Sequence, residues 1–330
     1  MNPVRRNPSA QMSKMMKMFP QIGVIEDNSV HSIIKVRKND PNKSELILKL
    51  AKPIKDENSI SNGLLKELIV INEIKFKHII RPNYIDFDDT GVFFTYEYGD
   101  YDLKRLIFAC QKKGKPIPEE IVKSVLFQVL LALEHLHLRG ITHGNISPAN
   151  MILMPLNSSS PGILKLIGFS NSKLVESFEG KSHWNTIKSQ YMAPEILLSY
   201  TQCNSSIDIW AAGILFYELL TMDSFAFDDS NQKLMKFVID CVGSVSENDK
   251  PSFDNNERAF YQSVLSYNTK GKINSLQIES KAIELLKRML AYDPTKRISA
   301  TDALRNQYFN EKPIPSINIL GLVKKLIHDI

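Results

Sequence analysis

Apolar positions along the chain follow two rhythms. From Gln21 to about Phe94, short apolar runs alternate with polar turns, the spacing of a small sheet. Residues 30–36, 45–50 and 92–97 read as strands, the first two parted by the turn-rich Asn39-Asp40-Pro41-Asn42. Between the second and third, Leu64, Leu65, Leu68, Ile71 and Ile74 recur at helical spacing, behind polar Asn58, Ser59 and Ser61 that can cap a helix. After Asp102 the rhythm becomes helical. Residues 119–137 are apolar-rich and opened by Pro116 and Pro118, while residues 207–221 are nearly all apolar, the pattern of a buried helix. Residues 280–290 and 299–307 predict shorter helices, and Asn157-Ser158-Ser159-Ser160-Pro161-Gly162 predicts a turn between two apolar strands. A strand-rich first quarter followed by helices predicts an α+β chain of two lobes. Near the end, Ile319, Leu320, Val323, Leu326, Ile327 and Ile330 form one stripe at helical spacing, with Lys324, Lys325 and Asp329 opposite. That stripe predicts a short helix packed on a surface, either this chain's own large lobe or a partner's groove.

Composition changes this picture little. The 330 residues are 43% hydrophobic, enough to bury a large core. The net charge of +5 is concentrated in Arg5, Arg6, Lys14 and Lys17, in a stretch with no acid before Glu26. The body is therefore close to neutral, and neither nucleic acid nor membrane is an expected partner. Residues 1–20 lack an apolar signal core and read as a basic, disordered tail rather than a transit peptide. The apolar run 209–220 is too short to span a bilayer. Cys110, Cys203 and Cys241 are odd in number and far apart, which fits neither a disulfide framework nor zinc and points to a reducing compartment, cytoplasm or nucleus.

The chemistry lies in a set of ordered motifs. His143-Gly144-Asn145-Ile146-Ser147-Pro148-Ala149-Asn150 has the shape of the catalytic loop H-R-D-L-x-x-x-N, and Leu166-Ile167-Gly168-Phe169-Ser170 stands where D-F-G would follow. Between Asp102 and Asp208 there is no aspartate at all. Ala193-Pro194-Glu195 matches A-P-E, Asp208-Ile209-Trp210-Ala211-Ala212-Gly213 matches D-x-W-x-x-G, and Asp293-Pro294-Thr295-Lys296-Arg297-Ile298-Ser299-Ala300 matches D-P-x-x-R-x-[ST]-A. In this order and at this spacing, the chain resembles a protein kinase over residues 21–310, after a tail at 1–20 and before another at 311–330. The resemblance implies a bilobal fold: a small sheet-rich N-lobe with one long helix, about 21–96, and a larger helical C-lobe, about 97–310. Phe94-Thr95-Tyr96-Glu97-Tyr98 before Asp102-Leu103 is similar to the hinge of cyclin-dependent (CMGC-type) serine/threonine kinases, although Met192 departs from that group's arginine.

The resemblance also implies roles. Lys49 is the phosphate-holding strand lysine and Glu67 its helix partner; Ile22, Gly23, Val30, Glu97, Tyr98 and Asn150 complete the nucleotide site. His143, Glu195, Asp208 and Arg297 hold the large lobe, Arg297 pairing with Glu195. Three catalytic positions are degenerate. Asn145 replaces the general base, Gly168 the magnesium ligand and Ser147 a phosphate-contacting lysine. Ile25 and Asn28 stand at the second and third glycines of the phosphate loop, where bare backbone N–H groups would approach the nucleotide. Gly144 and His183 replace the two members of an activation-segment clamp, leaving Ser182 and Thr186 without the usual receiver. A chain that keeps the architecture and loses the acids implies a pseudokinase acting as a regulatory or scaffolding module. It would require no cofactor, bind ATP weakly and bind magnesium not at all. The alternative is a divergent, weakly active serine/threonine kinase using an acid such as Glu176 or Glu179. The partner surface expected by this resemblance is a cyclin-like contact at the helix over 61–75.

Overall fold

The computed structural model describes residues 18–27, 31–39, 44–52, 62–88, 91–99, 101–155, 162–174, 189–197, 204–223, 230–244 and 269–329. Two compact units result. One holds the chain up to Lys75 and Ile79–Asp100; the other holds Phe76–His78 and everything from Tyr101.

The first unit is built on a five-stranded antiparallel sheet in the order β1-β2-β3-β5-β4. Its strands are β1 (Gln21–Asp27), β2 (His31–Arg37), β3 (Glu45–Ala51), β4 (Tyr84–Asp88) and β5 (Gly91–Glu97). Register puts Val36 opposite Leu46 and Ile34 opposite Leu48. Because side chains alternate along a strand, one face then gathers Ile34, Val36, Leu46, Leu48, Leu50 and Phe93, which Phe19 closes into a core. The other face carries half-buried Ile33, Lys35, Ile47 and Lys49. The helix α1 (Asn62–Glu73) buries Leu64, Glu67, Val70 and Ile71 and exposes Leu65, Lys66 and Ile69.

The second unit is helical, with α2 (Leu103–Lys113), α3 (Glu119–His137), α4 (Pro194–Leu197), α5 (Ser206–Thr221), α6 (Asn231–Val242), α7 (Ser280–Met289), α8 (Ala300–Leu304) and α9 (Ile319–Asp329). Short strands β6 (Tyr101–Asp102), β8 (Met151–Pro155) and β9 (Gly162–Leu166) form one sheet, and β7 (Ile141–Thr142) pairs with β10 (Lys173–Leu174). Buried α3 and α5 form the centre, with Trp210 fully enclosed. The helix expected over 299–307 is interrupted. It stops at Leu304, and the Asn306 side chain caps a separate 3-10 turn by accepting from the Tyr308 N–H at 2.9 Å. Phe76 stacks on His135 with centroids 4.2 Å apart. His78 is buried; its Nδ1 lies 2.8 Å from the Leu164 carbonyl, which can only accept, so Nδ1 carries the proton. Burial pushes this imidazole down to about 4.

The tail packs on this same unit. Ile319, Leu320 and Val323 are buried against β8, β9 and α3. Leu320 sits directly on Gly162, where any β-carbon would fall inside the Leu320 side chain. Asn318 Oδ1 caps the approach, accepting from Gly162 N at 3.0 Å and Gly321 N at 3.1 Å. A buried polar stripe on α3 fastens the preceding segment. Lys123 donates to the Glu311 carbonyl at 3.1 Å, and Ser124 Oγ accepts from Ser316 N at 2.7 Å. Gln128 donates to the Ser316 carbonyl at 3.4 Å and accepts from Leu164 N at 2.8 Å. Among the described residues, no helix is long and apolar enough to cross a membrane.

Candidate functional site

In the first unit, β3 and α1 bring Lys49 and Glu67 together. Lys49 stands between Ile33 on β2 and Phe94 on β5, and its Nζ lies 2.5 Å from Glu67 Oε2. Glu67 is 4% exposed, so the pair is nearly dry and removing one member strands the other. Tyr96 lies buried beside it, its hydroxyl pushed to a higher pKa by burial and then by the Glu67 charge.

The β1 end of this unit carries two acids, each beside a basic side chain. Ile22 and Gly23 lie on β1, Ile22 exposed and Gly23 with open space above it. The same strand ends in Glu26, 3.2 Å from His31, and Asp27, which takes Lys52 at 2.5 Å and the Ser32 hydroxyl at 2.7 Å. Both lie between Ile25 and Asn28, the positions expected to carry the second and third glycines. Val30 and Asn28 lie outside the described residues. At the far end, Glu97 is exposed and Tyr98 half-buried, with the Lys35 ammonium 3.8 Å above the Tyr98 ring. Glu45, 2.6 Å away, fixes that ammonium; their bond raises the Lys35 pKa and lowers that of Glu45.

In the second unit, α5 positions the loop 143–150. Asp208 is fully buried and accepts from His143 N and Gly144 N, each at 2.8 Å, with His137 Nε2 3.0 Å away. His143 in turn donates from Nε2 to the Ile167 carbonyl at 3.1 Å and meets Phe169 edge-on at 4.7 Å. Asn145 is therefore carried on a well-fixed backbone, as is Asn150, whose Nδ2 donates to the Asn145 carbonyl at 2.9 Å. Ile167 N donates to the Asn150 carbonyl at 3.0 Å, bringing the next residue, Gly168, against the Asn150 side chain. Gly168 has φ +83°, and a β-carbon there would lie 2.6 Å from Asn150 Oδ1.

The expected large-lobe anchor is present. Arg297 holds Glu195 in a two-pronged contact, Nη1 to Oε1 at 2.7 Å and Nη2 to Oε2 at 3.0 Å, and lies over Trp210. A contact not read from the sequence joins Tyr191 to Glu218, hydroxyl to Oε2 at 2.6 Å, with burial raising the pKa of both groups. Gly144, Asn145, Tyr191, Met192, Ile196 and Asp208 border a recess of about 20 Å³, room for a single ordered water. Glu176, Glu179, Ser182, His183 and Thr186 lie outside the described residues.

Chemically, the loop offers amides and a hydroxyl. Asn145 has no basic lone pair at neutral pH, and Ser147 no charge. A hard divalent cation prefers carboxylates, while the side chain facing position 168 is the neutral Asn150 amide and Gly168 supplies none. The residues present do not fit magnesium.

Residues 29–309 match the protein kinase domain family. The chain is 27% identical over 332 residues to cyclin-dependent kinase E-1 of Arabidopsis thaliana, covering 94% of this chain and 70% of that one. It is 29% identical over 339 residues to the serine/threonine-protein kinase SSN3 of Yarrowia lipolytica, covering 93% and 80%. Similarity to mitogen-activated protein kinase 7 of Arabidopsis thaliana is 32% over 248 residues, 74% of this chain and 64% of that one.

Proposed function

The chain belongs to the protein kinase family, and from that premise we propose that it is a pseudokinase of cyclin-dependent type, binding partners without transferring phosphate. The observation that carries this reading is the pair Asn145 and Gly168 on a backbone held in place by Asp208, His143 and Asn150. Phosphoryl transfer asks the protein for a positioned nucleophile and neutralised phosphate charge, and these two positions supply neither. General-base help alone accounts for about 10²–10⁴ in rate. Nucleotide binding is accordingly weak and independent of magnesium.

The retained Lys49–Glu67 pair and the outer face of α1 point to a protein partner. Leu65 and Ile69, four residues apart, are 43% and 55% exposed with Lys66 beside them, an apolar strip of the kind that docks into a partner's groove. The name of the relative cyclin-dependent kinase E-1 supports a cyclin-like protein as the occupant.

A second reading is a divergent, active serine/threonine kinase, favoured by the names of the similar proteins, which are all kinases. One experiment separates the two: incubation of purified protein with radiolabelled ATP and magnesium, beside a Lys49→Ala control. We expect no incorporation above the control. Incorporation that Lys49→Ala abolishes establishes the active reading. The partner is sought by affinity purification and mass spectrometry, with Ile69→Asp expected to lose it at unchanged melting temperature.

A further inference from the structure

Three glutamates from separate parts of the second unit converge on one lysine. Lys123, on α3, is completely buried, with Nζ 3.4 Å from Glu119 Oε1 and 3.3 Å from Glu279 Oε2. Its third contact is the Glu311 carbonyl at 3.1 Å, and the Tyr308 ring lies 4.4 Å beneath it. Glu311 brings its own carboxyl alongside Glu279. One ammonium thus faces two carboxylates and a backbone carbonyl, with the Glu311 carboxyl beside Glu279. The second oxygen of Glu279, Oε1, is buried and receives no hydrogen bond. The neighbours of this carboxyl include the Glu119 and Glu311 carboxylates, which when ionised can only accept. A buried acceptor aimed at acceptors is relieved by one proton, which converts a repulsion into a hydrogen bond.

We propose that Glu279 retains a proton beside Lys123 and donates it to the Glu311 carboxylate, and that this proton fastens the C-terminal segment from Glu311 onward to α3. The segment has few other polar ties at this point, Ser124 and Gln128 holding Ser316. Other charged groups nearby leave the balance unchanged. Tyr308 stays neutral because burial raises its pKa, and Lys281 is turned to Glu284, 3.8 Å away. Burial, followed by the Glu311 and Glu119 carboxyls, pushes Glu279 up to about 7 against the pull of Lys123. With the tail released, Glu279 returns toward the ordinary value of about 4.3. The attached state therefore holds more protons between those values, so attachment is strongest in mild acid and is lost as pH rises through neutrality.

The test is amide hydrogen exchange of the full chain at about pH 6 and pH 8, corrected for intrinsic exchange rates. Protection of residues 311–329 should fall about tenfold across that range, while α5 keeps its protection. Glu279→Gln, whose amide donates as the retained proton would, should hold the tail at its acid-side protection at both values. Equal protection of the wild-type tail at both pH values overturns the proposal without recourse to any variant. So does a Glu279→Gln protein that keeps the tenfold fall, or a fall of equal size in α5.

Discussion

The Asn150 side chain fills the space in which a side chain at Gly168 would begin, its Oδ1 2.6 Å from the position of that missing β-carbon. Asn150 is held there by its bond to the Asn145 carbonyl. Gly168→Ala is expected to cost about 1–2 kcal/mol, because φ +83° disfavours a β-carbon and the amide must give way. A urea midpoint unchanged at constant slope overturns this. For the same reason, Asn145→Asp with Gly168→Asp does not restore kinase-like turnover: the second acid arrives where Asn150 sits, and Ser147 remains.

Nucleotide stabilisation is the second readout. Ligand binding raises stability by RT ln(1 + [L]/Kd), so a melting-temperature titration with ATP reports affinity directly. The expected shift is small and equal with magnesium or EDTA, since position 168 carries no carboxylate. Asp27→Ala should enlarge it by freeing the Lys52 ammonium. A large shift that appears only with magnesium contradicts the proposed site.

His78 gives the fold an acid-side weakness. Its folded pKa, about 4, lies below the unfolded 6.5, so below pH 6.5 the unfolded chain takes up the proton that the folded chain refuses. Stability is full above pH 6.5 and falls as pH drops toward 4, by something of order 3 kcal/mol over the window. His78→Gln should flatten that part of the stability profile, as measured by urea unfolding in steps between those values. A slope as steep as that of the wild type places its origin elsewhere.

The Gly162–Leu320 contact is a test of tail packing. Gly162→Ala forces a β-carbon into Leu320 and should cost about 1–3 kcal/mol. Leu320→Ala loses buried apolar surface on its own. Combined, the two should cost clearly less than their sum, because shortening Leu320 opens the room that the added methyl needs. Strict additivity would mean that the tail helix does not rest on β9.

Much of this was legible in advance. The helix expected over 119–137 coincides with α3, and the strands around Lys49 fall within a residue or two of expectation. Periodicity works there because one face is buried. It fails at β4, an edge strand whose Tyr84, Ile85 and Phe87 are all exposed, so no alternation marks it. Composition also hid the interior chemistry. Lys123, Ser124 and Gln128 are polar residues of an apolar-rich helix that carry no sequence signal of burial, yet they are buried because the tail returns, 190 or so residues later, to supply their partners. Glu218 was invisible for a similar reason: its partner Tyr191 comes from another segment. The C-terminal stripe was clear as a helix, and contact with β8, β9 and α3 decides that it rests on its own unit.

Asp208 grips the loop 143–150 by main-chain N–H groups alone at His143 and Gly144. Every amino acid but proline offers that group, so the path of the loop is indifferent to the side chain it displays at 145, while Gly144, at φ +72°, is kept for its conformation. Shape and message are thereby separated. The scaffold behaves as a rack whose pegs can be exchanged without bending the rail, and a surface once suited to one task can be rewritten for recognition with no cost to the frame that presents it.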